Sequence, residues 1–409
     1  MSGFVKELVP RTDAIEYAAR ELRFPWPVRT EPLPLEKGLG RRCGAPLVSR
    51  VDYPPFSRST RDGYALKSGD VAGASDSAPV FLRIGGEIPM GAEVELLLAG
   101  GECVSVHTGG MIPDGADAVV MIEDTVLTGN WLEVRKSLQS GENVILKGEE
   151  ISCGSEILSV GELLDYRNIG ILATLGFSFF DALDLRIGIL STGDEIVPAD
   201  TVELPAGKVR DANAWFLEFL LARHGFPARR LGIVPDRKEA LAESVLKGFV
   251  ENDVLLISGG SSVSTRDHCS EVLENLPEPG LLVRGVNMSP GKPLLIAGSL
   301  AGKRLALGLP GHPLSCSIVA ITVLLPLLHR LVGSVTAPLR SSLADLSSDV
   351  IGKAGIEEFI PALVTAGKAR PVPGKSGYVG VLREARGLIR LPETEETRRA
   401  GETVEVLEW

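Results

Sequence analysis

Residues 256–268 read LISGGSSVSTRDH: an apolar run ends in Ser258-Gly259-Gly260-Ser261-Ser262, and a carboxylate, Asp267, follows. Turn chemistry alone explains such a stretch. So does a loop whose amides and hydroxyls close on an oxyanion or a metal-bound phosphate. Two further apolar runs end in the same style, at Ser191-Thr192-Gly193-Asp194-Glu195 and at Pro235-Asp236. Asp194 and Glu195 offer hard oxygen donors suited to a divalent cation that keeps several waters. A lone acid after a strand is as easily a helix N-cap, and for Asp236, with Glu239 three residues on, the two readings are balanced. Two Pro-Gly turns come later, SPGKP at 289–293 and GLPGHP at 308–313; Lys292 gives the first a point charge suited to an oxyanion. Three independent strand ends bearing carboxylates or hydroxyls favour ligand binding over turn chemistry alone.

The elements that carry these loops follow from periodicity. From Leu185 onward RIGILS, RRLGIV and DVLLIS read as apolar strands, alternating with helical NAWFLEFLLARHG, DRKEALAESVLKGFV and DHCSEVLENL. Strands LLIA and RLALGL and a helix from about Pro313 to Leu331 complete an α/β domain over 181–332. Such alternation predicts a parallel sheet covered on both faces, with ligands outside the carboxyl ends of its strands. Residues 51–144 have another texture: VFLRIGG, AEVELLLAG, ADAVVMIED and WLEVRKSL, separated by Gly, Pro and Asp, predict a β-rich domain. A surface helix over 12–22 lies in a segment, 1–50, that together with the Gly-punctuated stretch 145–180 reads as a linker domain. Residues 333–409 read as a small C-terminal β domain.

Composition narrows the classes. A chain of 409 residues exceeds one ordinary core. Its formal charge of −11, with no basic stripe, argues against nucleic acid. Five scattered cysteines, Cys43, Cys103, Cys153, Cys269 and Cys316, without a C-x-x-C pair, point to reduced thiols and a cytoplasmic protein. Cys269 and Cys316 read as small core residues. His107, His224, His268 and His329 lack metal-ligand spacing and read as surface or core residues. The longest apolar run, SIVAITVLLPLL, is too short for a membrane span and suits a buried helix, and the N-terminus has no secretion-signal pattern.

The order of the loops is more specific than any one of them. FSRSTRDGYAL (56–66), TGGMIPDGADAVV (108–120), STGDEI (191–196), GKVRDAN (207–213), SGGSSVSTRD (258–267), SPGKP and GLPGHPLS (308–315) succeed one another along the chain. Together they resemble the MoeA/gephyrin E-domain family of molybdopterin molybdenumtransferases. The resemblance covers nearly the whole chain and is weakest in the last seventy residues. It implies a four-part subunit that forms a homodimer through the linker region, with a cleft shared between the α/β domain of one protomer and the β-rich domain of its partner. The implied activity is insertion of molybdate or tungstate into adenylated molybdopterin with release of AMP, dependent on Mg²⁺; an upstream molybdopterin adenylyltransferase would supply the substrate. By the same resemblance Asp62, Glu195, Asp236, Asp267 and Lys292 are candidate catalytic residues, and Asp194, Glu195 and Asp267 candidate metal ligands. Ser59, Thr108, Gly109, Thr192, Gly193, Asp211, Asn213, Ser258, Gly259, Gly260, Ser262, Pro290, Gly291, Pro310, Gly311, His312, Pro313 and Ser315 would line the substrate. Asp62-Gly63 is also a strong hairpin-turn signal, and the expectation is a turn that presents Asp62 to the partner's cleft.

The chain departs from the family pattern at several points. Arg61 stands where the family has methionine, Ile145 where it has arginine, Glu150 for aspartate, Ser264 for glycine, Ser289 for lysine and His312 for asparagine. No clear counterpart of a family arginine accompanies EEFIPALV. Losing cations from an oxyanion site weakens it, so Ser289→Lys is expected to tighten oxyanion binding unless Arg61 or His312 already replaces the charge. The alternative to the enzyme is a paralogue that binds the pterin, or serves as a scaffold, without insertion chemistry. A nucleotide-binding enzyme without a pterin is a third class, disfavoured by the ordered motif set.

Overall fold

Ile187–Thr192 (β1), Val254–Ser258 (β3) and Arg304–Leu309 (β6) bury nearly every side chain, as strands covered on both faces must. With Ala228–Val234 (β2), Pro279–Arg284 (β4) and Leu295–Ser299 (β5) they form a six-stranded sheet in the order β2-β1-β3-β6-β5-β4. This computed structural model describes residues 8–92, 94–259, 268–335 and 339–409. The chain forms two compact units, Met1–Pro46 with Leu158–Gly170 and Phe177–Trp409, and Leu47–Ile157 with Ile171–Gly176.

In the first unit β2, β1, β3 and β6 run parallel, as the alternating pattern predicts. The parallel expectation fails at β5, which runs antiparallel to both β6 and β4. The reason is connection length: four residues join β5 to β6, too few for a crossover, so a hairpin forms with Lys303 in the left-handed region at φ +48°. Helices Asn213–Arg223 (α2) and Lys238–Glu251 (α3) cover the sheet through Leu217 and Leu221 on α2 and Leu241, Val245 and Phe249 on α3. Arg11–Glu21 (α1), where a helix is expected over 12–22, buries Ala14, Ile15, Ala18 and Ala19 on one face.

Pro313–Val332 is long and apolar enough to cross a membrane, yet it is almost wholly buried inside the protein, so it is a core helix. A π-helical stretch at Ala320–Leu324 interrupts it. The C-terminal strands Ser341–Leu346, Glu357–Thr365, Lys368–Pro371, Gly387–Leu391 and Thr403–Glu408 pair round a closed ring, which removes free edges. Their inward residues, among them Ala344, Leu346, Ala362, Ile389 and Val406, make a separate small core. Met288–Ser289, between β4 and β5, adds to this barrel with Ser289 beside Glu358.

The second unit is built on six strands, in the order Ala118–Met121, Gly63–Leu66, Glu102–Val106, Val80–Glu87, Trp131–Val134 and Thr125–Thr128. Alternation sends Leu66, Cys103 and Val120 to one core and Ala65, Val104 and Val119 to the other. AEVELLLAG, expected as a strand, forms none among its described residues; it makes one bridge, Leu97 to Asp114. Of its three leucines only Leu98 reaches the core, while Leu96 and Leu97 stay exposed.

Candidate active site

Four parallel strands end at the same edge of the first unit, so the loops after β2, β1, β3 and β6 lie side by side. The register fixes their neighbours: Thr192 pairs with Val234, Ser191 with Ser258, and Ser258 with Leu309. Since β4 runs parallel to β6 and β5 antiparallel to it, the 285–294 connection with Pro290, Gly291 and Lys292 belongs to the same edge.

Side chains stitch these loops together. Asp211, just before α2, accepts from Ser191 Oγ at 2.6 Å and from the Ala214 amide at 3.1 Å, so it both caps the helix and grips β1. Asn213 Nδ2 donates to Ser258 Oγ and to the Gly311 carbonyl, each at 2.8 Å, joining α2 to the ends of β3 and β6. Gly259 has φ +102°, and a Cβ there would stand 2.2 Å from the Thr192 carbonyl oxygen. Only glycine fits both the conformation and the contact. Thr192 Oγ1 is buried with no hydrogen-bond partner among the described residues. Ser315 and Cys316 are buried below this floor, and burial pushes the Cys316 thiol up to about 12, which leaves it a core residue, as expected.

The acids are arranged differently from one another. Asp194 Oδ1 accepts the Asp236 amide at 3.1 Å, which ties the β1 and β2 loops, and Lys208 Nζ donates to the Asp194 carbonyl. Glu195 folds its carboxylate over Gly193, whose φ is +151°; a Cβ at Gly193 would lie 2.8 Å from Glu195 Oε2. The N-cap reading of Asp236 is overturned. Helix α3 is capped at Arg237, with no side-chain cap bond, and Asp236 Oδ1 is instead buried without a partner among the described residues. Among the described residues no three acid, histidine or cysteine groups converge as a metal cluster. Gly260, Ser262 and Asp267 lie outside the described residues.

The Pro-Gly turns dock on the C-terminal barrel. His312, before Pro313 at the helix start, sets Nδ1 3.2 Å from Ser376 Oγ, and the Leu314 amide donates to the Ser376 carbonyl at 3.1 Å. Pro310 is buried and Gly311 exposed. Gly291 has φ +125° and packs so closely on Val319 that a Cβ would lie 2.6 Å from it, while Lys292 is exposed. Burial holds the Glu358 carboxyl above its ordinary range, with Lys353 and a hydrogen bond from Ser289 pulling the other way. Sequence reasoning missed Ser376 and Glu358, both remote in the chain.

In the second unit, Ser59 Oγ donates to the Arg61 carbonyl at 2.5 Å, and the Gly109 amide donates to the Ser59 carbonyl at 2.8 Å. The hairpin expected at Asp62-Gly63 is absent: Arg58–Ser59 pairs with Val144–Ile145, whereas Gly63–Leu66 belongs to the six-stranded sheet. Gly63 lies against the Val120 carbonyl, where no Cβ fits. Asp62 accepts the Thr108 amide at 2.9 Å, and that bond, helped by the Thr108 hydroxyl and by His107, holds its carboxyl below the usual range.

Comparison with known proteins bears on this architecture along nearly its full length. Residues 9–176 match the MoeA N-terminal region (domain I and II), residues 188–330 the model described as "Probable molybdopterin binding domain", and residues 344–409 the MoeA C-terminal region (domain IV). A molybdopterin molybdenumtransferase of Nostoc sp. is 32% identical over 306 residues, 74% of this chain and 70% of its own. The chain belongs to the MoeA family. Another family member, a molybdopterin molybdenumtransferase of Staphylococcus epidermidis, is 29% identical over 379 residues, 91% of this chain and 90% of its own. The crystal structure of a molybdopterin biosynthesis MoeA protein from Pyrococcus horikoshii superposes with a TM-score of 0.79 at 32% identity, covering 98% of this chain and 99% of that one. The MoeA-like fold, with its α/β domain, β-rich N-terminal domain and C-terminal β domain, is therefore common to both.

Proposed function

We propose that this MoeA-family protein, which belongs to molybdenum cofactor biosynthesis, inserts molybdate or tungstate into adenylated molybdopterin and releases AMP in a Mg²⁺-dependent reaction. The observation that carries the reading is the single edge at which five loops present Asp194, Glu195, Asp236, Gly259, Gly311 and Lys292. Cleaving a phosphoanhydride needs charge neutralised on non-bridging oxygens and a leaving phosphate held still.

The acids fit magnesium on one observation: Asp236 Oδ1 is a buried carboxylate oxygen with no partner among the described residues, next to the Asp194 loop. One or two carboxylates plus substrate phosphates suffice for this ion. Asp236, with Asp194 on the adjoining loop, would hold it, with Glu195 and Asp267 further candidates, and bound there it would neutralise phosphate oxygens. The chain's own groups do the rest. Lys292 supplies a positive charge to the oxyanion, and the Gly259 and Gly311 backbones let the substrate approach without a Cβ in the way. Asn213 and Asp211 keep those loops in register, and Asp62 completes the site from the partner protomer of a homodimer. The protein acts in the cytoplasm and receives its substrate from a molybdopterin adenylyltransferase.

The test is incubation with adenylated molybdopterin, magnesium and molybdate. AMP together with metal-loaded cofactor supports the enzyme. Binding without AMP means a cofactor-binding or scaffold protein instead.

A further inference from the structure

His107 stands immediately before Thr108-Gly109, and its spacing in the sequence assigns it no task. Strand register brings it between two acids. Gly63 pairs with Val106, which sets Asp62 beside His107, and Glu87 pairs with Ser105 on the neighbouring strand. His107 Nδ1 lies 3.5 Å from Asp62 Oδ1, and Nε2 lies 3.1 Å from Glu87 Oε1. Neutral imidazole carries one N–H and can donate to only one of these carboxylates; imidazolium donates to both. We infer that His107 is a positioning residue which, as imidazolium anchored by Glu87, holds the Asp62 carboxylate in its working orientation.

The inference rests on the proposed role of Asp62 in the reaction. Asp62 Oδ1 already accepts the Thr108 amide at 2.9 Å. The ring therefore supplies the second side of a clamp whose first side is the next residue's backbone. Among the described residues, the charged groups within ion-pair reach of the ring are Asp62, from the turn before Gly63, and Glu87, from the end of Val80–Glu87. Loss of the ring proton costs one of the two contacts, and Asp62 is then held from the Thr108 side alone.

Two measurements on the full chain test this. Glu87→Gln removes the carboxylate that anchors the ring and should lower kcat for AMP release with KM little changed. Wild-type AMP release should decline as pH rises through the histidine range, about pH 5 to 8. His107→Gln should lower kcat about tenfold with KM little changed and flatten that profile, and His107→Lys, a cation at every pH in the range, should restore the rate without the decline. A Glu87→Gln enzyme with the wild-type kcat overturns the inference, as does a His107→Gln enzyme with the wild-type kcat and profile. If Asp62→Asn releases AMP at the wild-type rate, the assignment of Asp62 fails and the positioning role fails with it.

Discussion

At the scale of single residues, Asp236 and Ser289 carry the sharpest consequences. A buried carboxylate oxygen without a partner is costly to keep, and Asp236 Oδ1 is one among the described residues. If it waits for a cation, Asp236→Asn should keep the fold and lower magnesium-dependent AMP release about a hundredfold; AMP release at the wild-type rate would contradict this. Ser289 changes an expectation drawn from the sequence. A lysine there was expected to tighten oxyanion binding, but the Ser289 hydroxyl bonds to Glu358, a carboxyl 8% exposed. A new ammonium would pair with Glu358 before any anion arrived. Calorimetry with molybdate and tungstate should therefore find Ser289→Lys within about twofold of wild type, and Ser289→Lys with Glu358→Gln about tenfold tighter. A single variant as tight as the double would show that Glu358 does not capture the lysine.

At the scale of elements, the loops are held by contacts that cross between strands. Gly259→Ala would combine a left-handed φ of +102° with a Cβ 2.2 Å from the Thr192 carbonyl. The expected loss is about 1–3 kcal/mol in urea unfolding, with the loop after β1 displaced as well; unchanged stability would mean the backbone yields freely. How far this was legible varied with distance along the chain. Apolar runs ending in Gly, Ser and Asp announced the loops after β1, β2 and β3, because buried strands and the turns that follow them are local features. Spacing alone leaves Asp236 balanced between a cap and a ligand, and only the start of α3 at Lys238, capped at Arg237, rules out the cap. The antiparallel β5 hid in a hairpin without a strong turn signal. His312 with Ser376, Ser289 with Glu358, and Asp62 with His107 join residues 64, 69 and 45 apart in number (376 − 312, 358 − 289, 107 − 62), so no local pattern encodes them.

At the scale of the whole molecule, one ion cluster binds α1 to the C-terminal barrel. Arg11 Nε lies 2.8 Å from Glu357 Oε2, Arg390 Nε lies 2.7 Å from Glu357 Oε1, and Arg11 Nη1 donates to the Thr322 carbonyl of the π-helical stretch at 3.0 Å. Burial alone would raise the Glu357 carboxyl, but the two guanidiniums outweigh it and hold it below its ordinary 4.5. A lowered carboxyl adds stability that is complete above its unfolded value and lost as pH falls through the folded one. Urea midpoints should thus drop as pH falls below about 4.5, and Glu357→Gln should cost about 3 kcal/mol at pH 7 while weakening that acid dependence. The proposed assembly makes its own demand: a homodimer in sedimentation at micromolar concentration, and partial activity when Asp62→Ala and Lys292→Ala chains are mixed, since one of two shared sites would be intact. The central claim is metal insertion coupled to adenylate cleavage, and the stoichiometry of one reaction tests it most directly. With adenylated molybdopterin, magnesium and molybdate, the wild-type protein should yield one metal-loaded cofactor for each AMP released, and Glu195→Gln should lose both products together; AMP without loaded cofactor, or neither product from the wild type despite tight binding, would contradict it.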